Sequence, residues 1–174
     1  MNRLKWFDKK FQFELSQENF DSILNRLSEN PEKISRLVSS LPKEILIKRI
    51  DNRWSIQENV GHLVDIEELH EGRIDDFIAG KATLRAADLN NRKTEEANHN
   101  KKNINELLSE LKRVRENFVT RMKQLDVSIL SRRSIHPRLN QSMRPIDMAQ
   151  FVLEHDEHHI QTIQTIKEII SNNQ

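Results

Sequence analysis

Apolar residues recur at spacings of three and four over most of this chain, which is the pattern of amphipathic helices. The stripe from Ile104 to Leu125 predicts one long helix, and the stripe from Met148 to Ile170 predicts a last helix that begins at Arg144-Pro145. Proline suits the first turn of a helix because an N–H at that position has no intrahelical partner. The C-terminal half is therefore predicted to consist of two long helices joined by a turn region.

The N-terminal part shows two shorter stripes on either side of a proline. The stripe from Phe20 to Leu27 predicts a first short helix that ends near Asn30. Pro31 then suits the first turn of the next helix, whose stripe runs from Ile34 to Leu41. Pro42 stops that helix, and residues 43–53 are predicted to be a connector.

Ser55 opens the strongest helix start in the sequence. Ser55 and Glu58 have the spacing of a capping box, in which each side chain accepts a hydrogen bond from the backbone N–H of the other residue. Apolar positions continue from Ile56 to Ile78, and Gly80 is placed to end the helix. These features predict one continuous helix over 55–80.

Two segments lack a helical stripe. Residues 81–102 are polar, and a connection of this length is either a functional lid or rim, or a plain crossover with a short helix in it. Residues 131–143 are predicted to be a turn region with His136 on a loop, because the residue before Pro137 is kept out of the helical conformation. Four main helices with one long connection between the second and third predict an all-α four-helix bundle, in one domain over 1–174.

The composition agrees with amphipathic helices and excludes several classes. Hydrophobic residues make up 36% and charged residues 32%, while 3 Gly and 4 Pro are too few for a turn-rich β protein. Without cysteine, the chain has no disulfide, no thiolate metal ligand and no cysteine nucleophile. No apolar stretch approaches the ~20 residues of a membrane span, and the segment Met1 to Trp6 lacks the apolar run of a signal peptide, so a cytoplasmic location is expected.

Charge is balanced overall but unevenly distributed. A net charge of +1 argues against a nucleic-acid partner. Acidic residues are concentrated over 51–100 and 146–174, where most histidines lie, and a local negative field favours cations. The alternative is that these carboxylates simply lie on solvent-exposed faces of helices. One basic stretch contains Arg132, Arg133, Arg138 and Arg144. It either attracts an anionic cosubstrate or is a solvated surface.

His155 and His159 carry the clearest chemical signal. Four residues apart on a helix, they share one face and can bind one divalent cation together. They fill the gap in the apolar stripe between Val152 and Ile163, which predicts that both face the core. His158 falls on the flank, although a pair of His155 with His158 is also geometrically possible. Two buried imidazoles need partners, which would be a metal or a carboxylate such as Asp65, Glu67 or Asp156.

A metal site needs a third ligand, and helical periodicity leaves two candidates open. His62 falls at the edge of the apolar arc of its helix, whereas His70 falls nearer the middle. The helical rise places them about 12 Å apart, so one ion cannot use both without a bent arrangement. His99 is expected at the surface.

Four segments together carry a family resemblance: Arg53-Trp54-Ser55-Ile56-Gln57-Glu58, Gly61-His62-Leu63-Val64-Asp65, His136-Pro137 and His155-Asp156-Glu157-His158-His159-Ile160. In this order they resemble the DinB-like superfamily of metal-dependent proteins, and especially its branch similar to bacillithiol S-transferases. The resemblance covers about Leu41 to Ile166. The His-x3-His spacing is a weak signal alone, but its combination with the other segments is fairly specific.

The resemblance implies an up-down-down-up bundle that binds zinc or nickel through His62, His155 and His159. It thus favours His62 over His70 and His159 over His158. It also implies transfer of a low-molecular-weight thiol to an electrophile, or isomerisation with the help of a thiol, and it makes a homodimer plausible. Residues 81–102 depart from the transferase branch, so the identity of the substrate stays open.

Three neutral histidines leave a tetrahedral cation one open position, which is typical of a catalytic site. A water or a thiol bound there loses its proton easily. The first hypothesis is therefore a thiol S-transferase or hydrolase of small molecules, with the thiol supplied as a cosubstrate. Asp65 and Glu58 are candidates for orienting His62, and Gln161 and His158 for the rim. The alternatives are a non-catalytic sensor or interaction module that binds metal or a ligand, and a bundle whose histidines are structural.

Overall fold

Long helices dominate the computed structural model, which describes residues 6–13 and 15–172. The elements are α1 (Phe20–Val38), α2 (Lys43–Leu46), α3 (Ile56–Asp65), α4 (Glu67–Ile78), α5 (Arg92–Glu96), α6 (Ile104–Lys123), α7 (Val127–Leu130), β1 (Ser134–His136), β2 (Gln141–Met143) and α8 (Pro145–Asn172). Most of the segment on which the signal-peptide expectation rests, residues 1–5, lies outside the described residues. Among the described helices, none combines the length and apolar character that crossing a bilayer requires.

The main helices form a four-helix bundle, as predicted. α1 packs mainly against α6 and α8, and α3 and α4 pack against the same two helices. α1 and the α3–α4 segment therefore stand at opposite corners of the bundle, with α6 and α8 at the other two. The only β structure in the described chain is the β1–β2 hairpin and one isolated bridge to it.

Side-chain contacts give the direction of each helix. Parallel pairs are joined in register by Asn30–Asp156 and Leu37–Lys167 between α1 and α8, and by Glu67–Arg115 and Glu71–Arg121 between α4 and α6. In contrast, α3 and α8 are antiparallel, since Asn59 meets His159 and His62 meets His155. The order is therefore up-down-down-up, as the family resemblance implies.

The prediction of two helices around Pro31 is wrong, because α1 runs through this proline without a break. Proline removes the hydrogen bond to the carbonyl of Leu27, which normally breaks or kinks a helix. The helix continues because both of its halves are buried against α6 and α8, with Leu27 on one side of Pro31 and Ile34 on the other. Tertiary packing thus outweighs the local penalty.

The helix predicted over 55–80 is divided at Ile66 into α3 and α4. Its start is confirmed: the Ser55 N–H donates to the Glu58 carboxylate over 2.8 Å, and the Glu58 N–H donates to the Ser55 hydroxyl over 3.1 Å. At Ile66 the hydrogen-bond ladder is irregular, because the Leu69 N–H donates to the Ile66 carbonyl three residues back, beside the regular bond from the His70 N–H. Gly80, with φ of 67°, follows the end of α4 as expected.

The connection between α4 and α6 is a crossover with short helical pieces, one of the two predicted possibilities. It carries α5 and a 3-10 turn at His99–Lys101, and Thr83 forms a bridge to Ile135 of the hairpin. His136 lies at the end of β1 rather than on a loop, since the extended conformation imposed by Pro137 is also that of a strand. The predicted connector over 43–53 contains the single turn of α2.

The core consists of two apolar clusters separated by a polar layer. The first cluster includes Leu27, Ile74, Phe118 and Val152, and the second includes Ile34, Leu63, Leu111 and Ile163. Between them, each corner of the bundle contributes buried polar side chains: Asn30, His62, Glu67, His70, Arg115, His155, Asp156 and His159. The polar layer thus crosses the bundle where the chain has its histidines.

Arg115 holds one half of this layer together. Its Nη2 lies 2.8 Å from Oδ1 of Asp156 and 3.3 Å from Oε2 of Glu67. Asn30 donates to the other oxygen of Asp156, and His70 Nδ1 lies 3.3 Å from Oε2 of Glu67. Burial raises the pKa of Glu67 to about 7 against the attraction of Arg115, so this carboxylate depends on its cation. The network joins α1, α4, α6 and α8.

Replacing Arg115 by methionine would leave two carboxylates buried without their cation. We expect Arg115→Met to lower the free energy of unfolding by about 3–5 kcal/mol, the usual cost of breaking a buried ion pair. Arg113→Met on the exposed side of α6 removes only a surface pair with Glu110 and should leave the free energy of unfolding nearly unchanged. Urea unfolding measures both, and equal losses would contradict the role of Arg115.

Candidate metal centre

Three histidines converge in the polar layer. His62 comes from α3, and His155 and His159 come from successive turns of α8. One ring nitrogen of each lies within 4.8 Å of the corresponding atoms of the other two, and all three side chains are buried. The fold therefore brings together His155 and His159, which their spacing predicted as a pair, with His62, which the family resemblance favoured.

Hydrogen bonds determine which nitrogen of His62 carries the proton. Its Nδ1 lies 3.1 Å from the hydroxyl oxygen of Thr94, and that hydroxyl donates to Asp65 over 2.9 Å. Because the Thr94 hydrogen is used on Asp65, the Thr94 oxygen acts as the acceptor and His62 Nδ1 as the donor. A neutral His62 then presents the lone pair of Nε2.

His159 is oriented in the same way by an amide. Asn59 donates through Nδ2 to the carbonyl of Ser55 over 2.8 Å, which leaves its Oδ1 as the acceptor for His159 Nδ1 at 2.8 Å. The proton of a neutral His159 is therefore on Nδ1, and its Nε2 faces Nε2 of His155 at 3.3 Å. Nδ1 of His155 is buried without a hydrogen-bond partner among the described residues.

Burial keeps the rings of His62 and His155 neutral. Burial lowers the pKa of His62 to about 4, and it also lowers the pKa of His155 well below its ordinary value. Neutral imidazoles whose Nδ1 atoms are held by oxygen acceptors are the form in which histidine binds a divalent metal. The donor set, its tautomers and its convergence therefore fit a divalent cation.

The two tryptophans of the chain flank the cluster. The Trp54 ring lies 4.7 Å from the His62 ring and 6.4 Å from that of His159, between centroids. The Trp6 ring lies 5.0 Å from that of His155. Apolar walls of this kind limit the access of water to a site and lower its local dielectric constant.

The competing histidines lie beside the cluster. His158 is half-buried on the flank of α8, with its ring 5.7 Å from Trp6. His70 is buried but bonds to Glu67, with its ring 6.2 Å from that of His155. Neither belongs to the group whose ring nitrogens converge.

The prediction that His99 lies at the surface is wrong, since only 1% of its side chain is exposed. Its ring packs on the backbone of α3 at Gly61, where a side chain would overlap it. Its Nε2 lies 2.7 Å from Oδ2 of Asp65, and its carbonyl accepts from Gln57. His99 thus fastens the crossover to α3 and holds Asp65, which in turn holds Thr94.

The two carboxylates predicted to orient His62 are placed differently. Asp65 reaches His62 only through the hydroxyl of Thr94. Glu58 is engaged by Ser55 in the capping box and by the guanidinium of Arg49, whose hydrogen bonds lower the pKa of Glu58 despite its burial. Periodicity gave no signal for Thr94, which lies in the weakly patterned crossover, nor for the role of Asn59.

The basic stretch does not act as one surface. Arg132 donates to the carbonyls of α4 at its end, and Arg144 pairs with Asp147. Arg133 is exposed. Arg138 turns inward, with its guanidinium 5.8 Å from the Phe151 ring centroid.

Comparison with known proteins gives a family and a fold. The sequence model of the DinB superfamily matches residues 12–163. YfiT from Bacillus subtilis, described as a probable metal-dependent hydrolase with an unusual four-helix bundle topology, superposes with a TM-score of 0.81 at 19% identity and covers 94% of each chain. The mycothiol-dependent maleylpyruvate isomerase superposes with a TM-score of 0.65 at 10% identity. The superposition covers 81% of this chain and 59% of the isomerase chain. No curated protein sequence gives a significant match.

A double-mutant cycle at Gly61 and His99 tests the contact that fastens the crossover. Gly→Ala inside a helix normally stabilises by about 0.5–1 kcal/mol. Here Gly61→Ala should instead destabilise by roughly 1–3 kcal/mol, because the new methyl group overlaps the His99 ring. In the His99→Ala background the same change should stabilise, and urea unfolding of the four proteins gives the coupling. A stabilising Gly61→Ala in the wild-type background would contradict this packing.

Proposed function

The chain belongs to the DinB superfamily, and on this premise we propose that it is a metal-dependent enzyme of the thiol S-transferase or hydrolase kind, acting on a small molecule. The proposal rests on the convergence of three buried imidazoles. In two of them, His62 and His159, Nδ1 is hydrogen-bonded to an oxygen acceptor. A single domain over 1–174, a cytoplasmic location, a homodimer and the absence of a nucleic-acid partner stay predictions from the sequence.

We assign the metal-ligand role to Nε2 of His62, His155 and His159. Nitrogen ligands without thiolate suit zinc and nickel, the two ions that the family resemblance implies. When bound there, a divalent cation would supply Lewis acidity to a small molecule beside the three histidines.

The residues around the histidines orient and shield them. Thr94 and Asn59 keep the Nδ1 protons of His62 and His159 in place, and Asp65 and His99 hold Thr94 from behind. Trp54 and Trp6 exclude water from two sides. Because the chain lacks cysteine, a thiol that takes part in the reaction must arrive as a cosubstrate.

Elemental analysis of tag-free protein tests the ligand set. We expect about one equivalent of zinc, nickel or another divalent ion in the wild type after reconstitution, and its loss in His155→Ala, because two remaining imidazoles rarely hold an ion. His158→Ala removes a neighbouring histidine outside the cluster and should keep the metal. Circular dichroism confirms that each variant is folded.

The same proteins then separate an enzyme from a binding module. With low-molecular-weight thiols and model electrophiles, or with ester and amide substrates, the wild type and His158→Ala should show activity that His155→Ala lacks. Metal binding without any turnover would favour the sensor or interaction module. Absence of metal from all three proteins would leave a bundle with structural histidines.

Thr94→Val tests the support of His62. Valine has nearly the same shape but cannot accept the Nδ1 proton, so we expect metal affinity to fall by roughly 10–100-fold, as for other second-layer partners of metal ligands. Thr120→Val, on the exposed side of α6, should leave the affinity unchanged. Competition titration with a chromogenic chelator measures both, and equal affinities would remove Thr94 from the site.

A further inference from the structure

Two inward-facing arginines near the histidine cluster have no carboxylate partner of their own among the residues that the structure describes. Arg73 on α4 is 1% exposed, and its Nε donates to the carbonyl of Arg85. Arg138, after β1, is half-buried, and its Nη2 has no hydrogen-bond partner among the described residues. The carboxylate whose charge favours Arg73 is Asp76, but Asp76 is already bonded to Arg85 and Lys81.

His136 adds an unsatisfied donor beside these arginines. Its Nδ1 accepts the backbone N–H of Leu139 over 3.2 Å, so the proton of the neutral ring is on Nε2. Nε2 is buried and has no partner within the described chain. Burial, together with the charges of Arg73 and Arg138, lowers the pKa of His136 to about 3 and keeps the ring neutral.

The neighbouring walls are apolar. The Arg138 guanidinium lies 6.0 Å from the Trp6 centroid and 5.8 Å from that of Phe151, and the His136 ring lies 5.0 Å from the Phe151 ring. Contact with aromatic rings offsets part of the desolvation of a guanidinium, but it provides no negative charge. Within the described part of the chain these two guanidinium groups lack a counter-charge, so they call for an anion.

This group of donors lies next to the candidate metal centre. Phe151 is one helical turn before His155, and the Trp6 ring touches both. Arg73 follows His70 by three residues on α4, and the His70 ring lies 6.2 Å from that of His155. An anionic group at the arginines would thus lie about one to two helical turns, roughly 5–10 Å, from the histidine nitrogens.

We propose that Arg73, Arg138 and the Nε2–H of His136 form a subsite that binds a carboxylate of the organic substrate. A guanidinium matches the two oxygens of a carboxylate, and the aromatic walls of Trp6 and Phe151 suit the carbon skeleton attached to it. This subsite adds a substrate class to the proposed function. Its assignment to the substrate rests on that proposed function. It selects a small carboxylic acid whose reacting atom is a few bonds from the carboxylate.

Benzoate is a suitable probe because it combines a carboxylate with an apolar ring. Calorimetric titration of the metal-free full-length chain should show saturable binding of one equivalent. Arg138→Met should weaken it by roughly 10–100-fold, the value of a charge-assisted hydrogen bond. Arg133→Met removes the same charge from an exposed position on the same stretch and should bind like the wild type. Arg138→Lys keeps a charge without the fork geometry and should fall between.

Three outcomes would overturn the subsite. No binding to the wild type, or equal weakening by Arg138→Met and Arg133→Met, would show that the arginines do not hold a carboxylate. Saturable binding of inorganic phosphate but not of benzoate would show that the anion is of another class. Because the protein is metal-free, these results do not depend on the histidine site. Binding of benzoate by a chain that never takes up metal would keep the subsite and remove the proposed enzyme.

Discussion

The buried guanidinium of Arg115 is the constraint on which the rest of the structure depends. A charge at this depth must be paired, and its partners come from two other helices, Glu67 on α4 and Asp156 on α8. Asn30 on α1 completes the shell of Asp156. One interaction thus sets the axial register of all four corners of the bundle. Since His155 precedes Asp156 in the chain, the same register also places the histidine cluster.

The polar layer divides the apolar core in two, an arrangement that costs stability and that the proposed metal site would explain. Helices alone bring the three imidazoles together, but they do not determine the tautomers. That task falls to Asn59 within α3 and to Thr94, Asp65 and His99, two of which lie in the crossover. The crossover approaches closely enough to do this because position 61 is glycine. The long connection is therefore part of the site rather than a spacer.

The inward-facing arginines differ in which groups balance their positive charge. Arg115 has two carboxylates within 3.3 Å and is satisfied by the protein itself. Arg73 and Arg138 have a backbone carbonyl, aromatic faces and a carboxylate already shared by other cations. The first arrangement is what a structural ion pair looks like, and the second is what a site for an external anion requires. Glu67, which pairs with Arg115, precedes His70 by three residues on α4, and Arg73 follows it by three. The structural support and the proposed recognition therefore meet on one helix.

Local patterns in the sequence were sufficient for the two long helices α6 and α8, the capping box at Ser55 and the inward face of His155 and His159, because helical periodicity reports which side of a helix is buried. It does not report what that side meets. Periodicity alone left His62 and His70 open, and only the family resemblance favoured His62. The continuous passage of α1 through Pro31, the burial of His99 and the inward turn of Arg138 were decided by tertiary structure. Each depends on a partner more than 30 residues away along the chain or on another helix, a contact that no local pattern encodes.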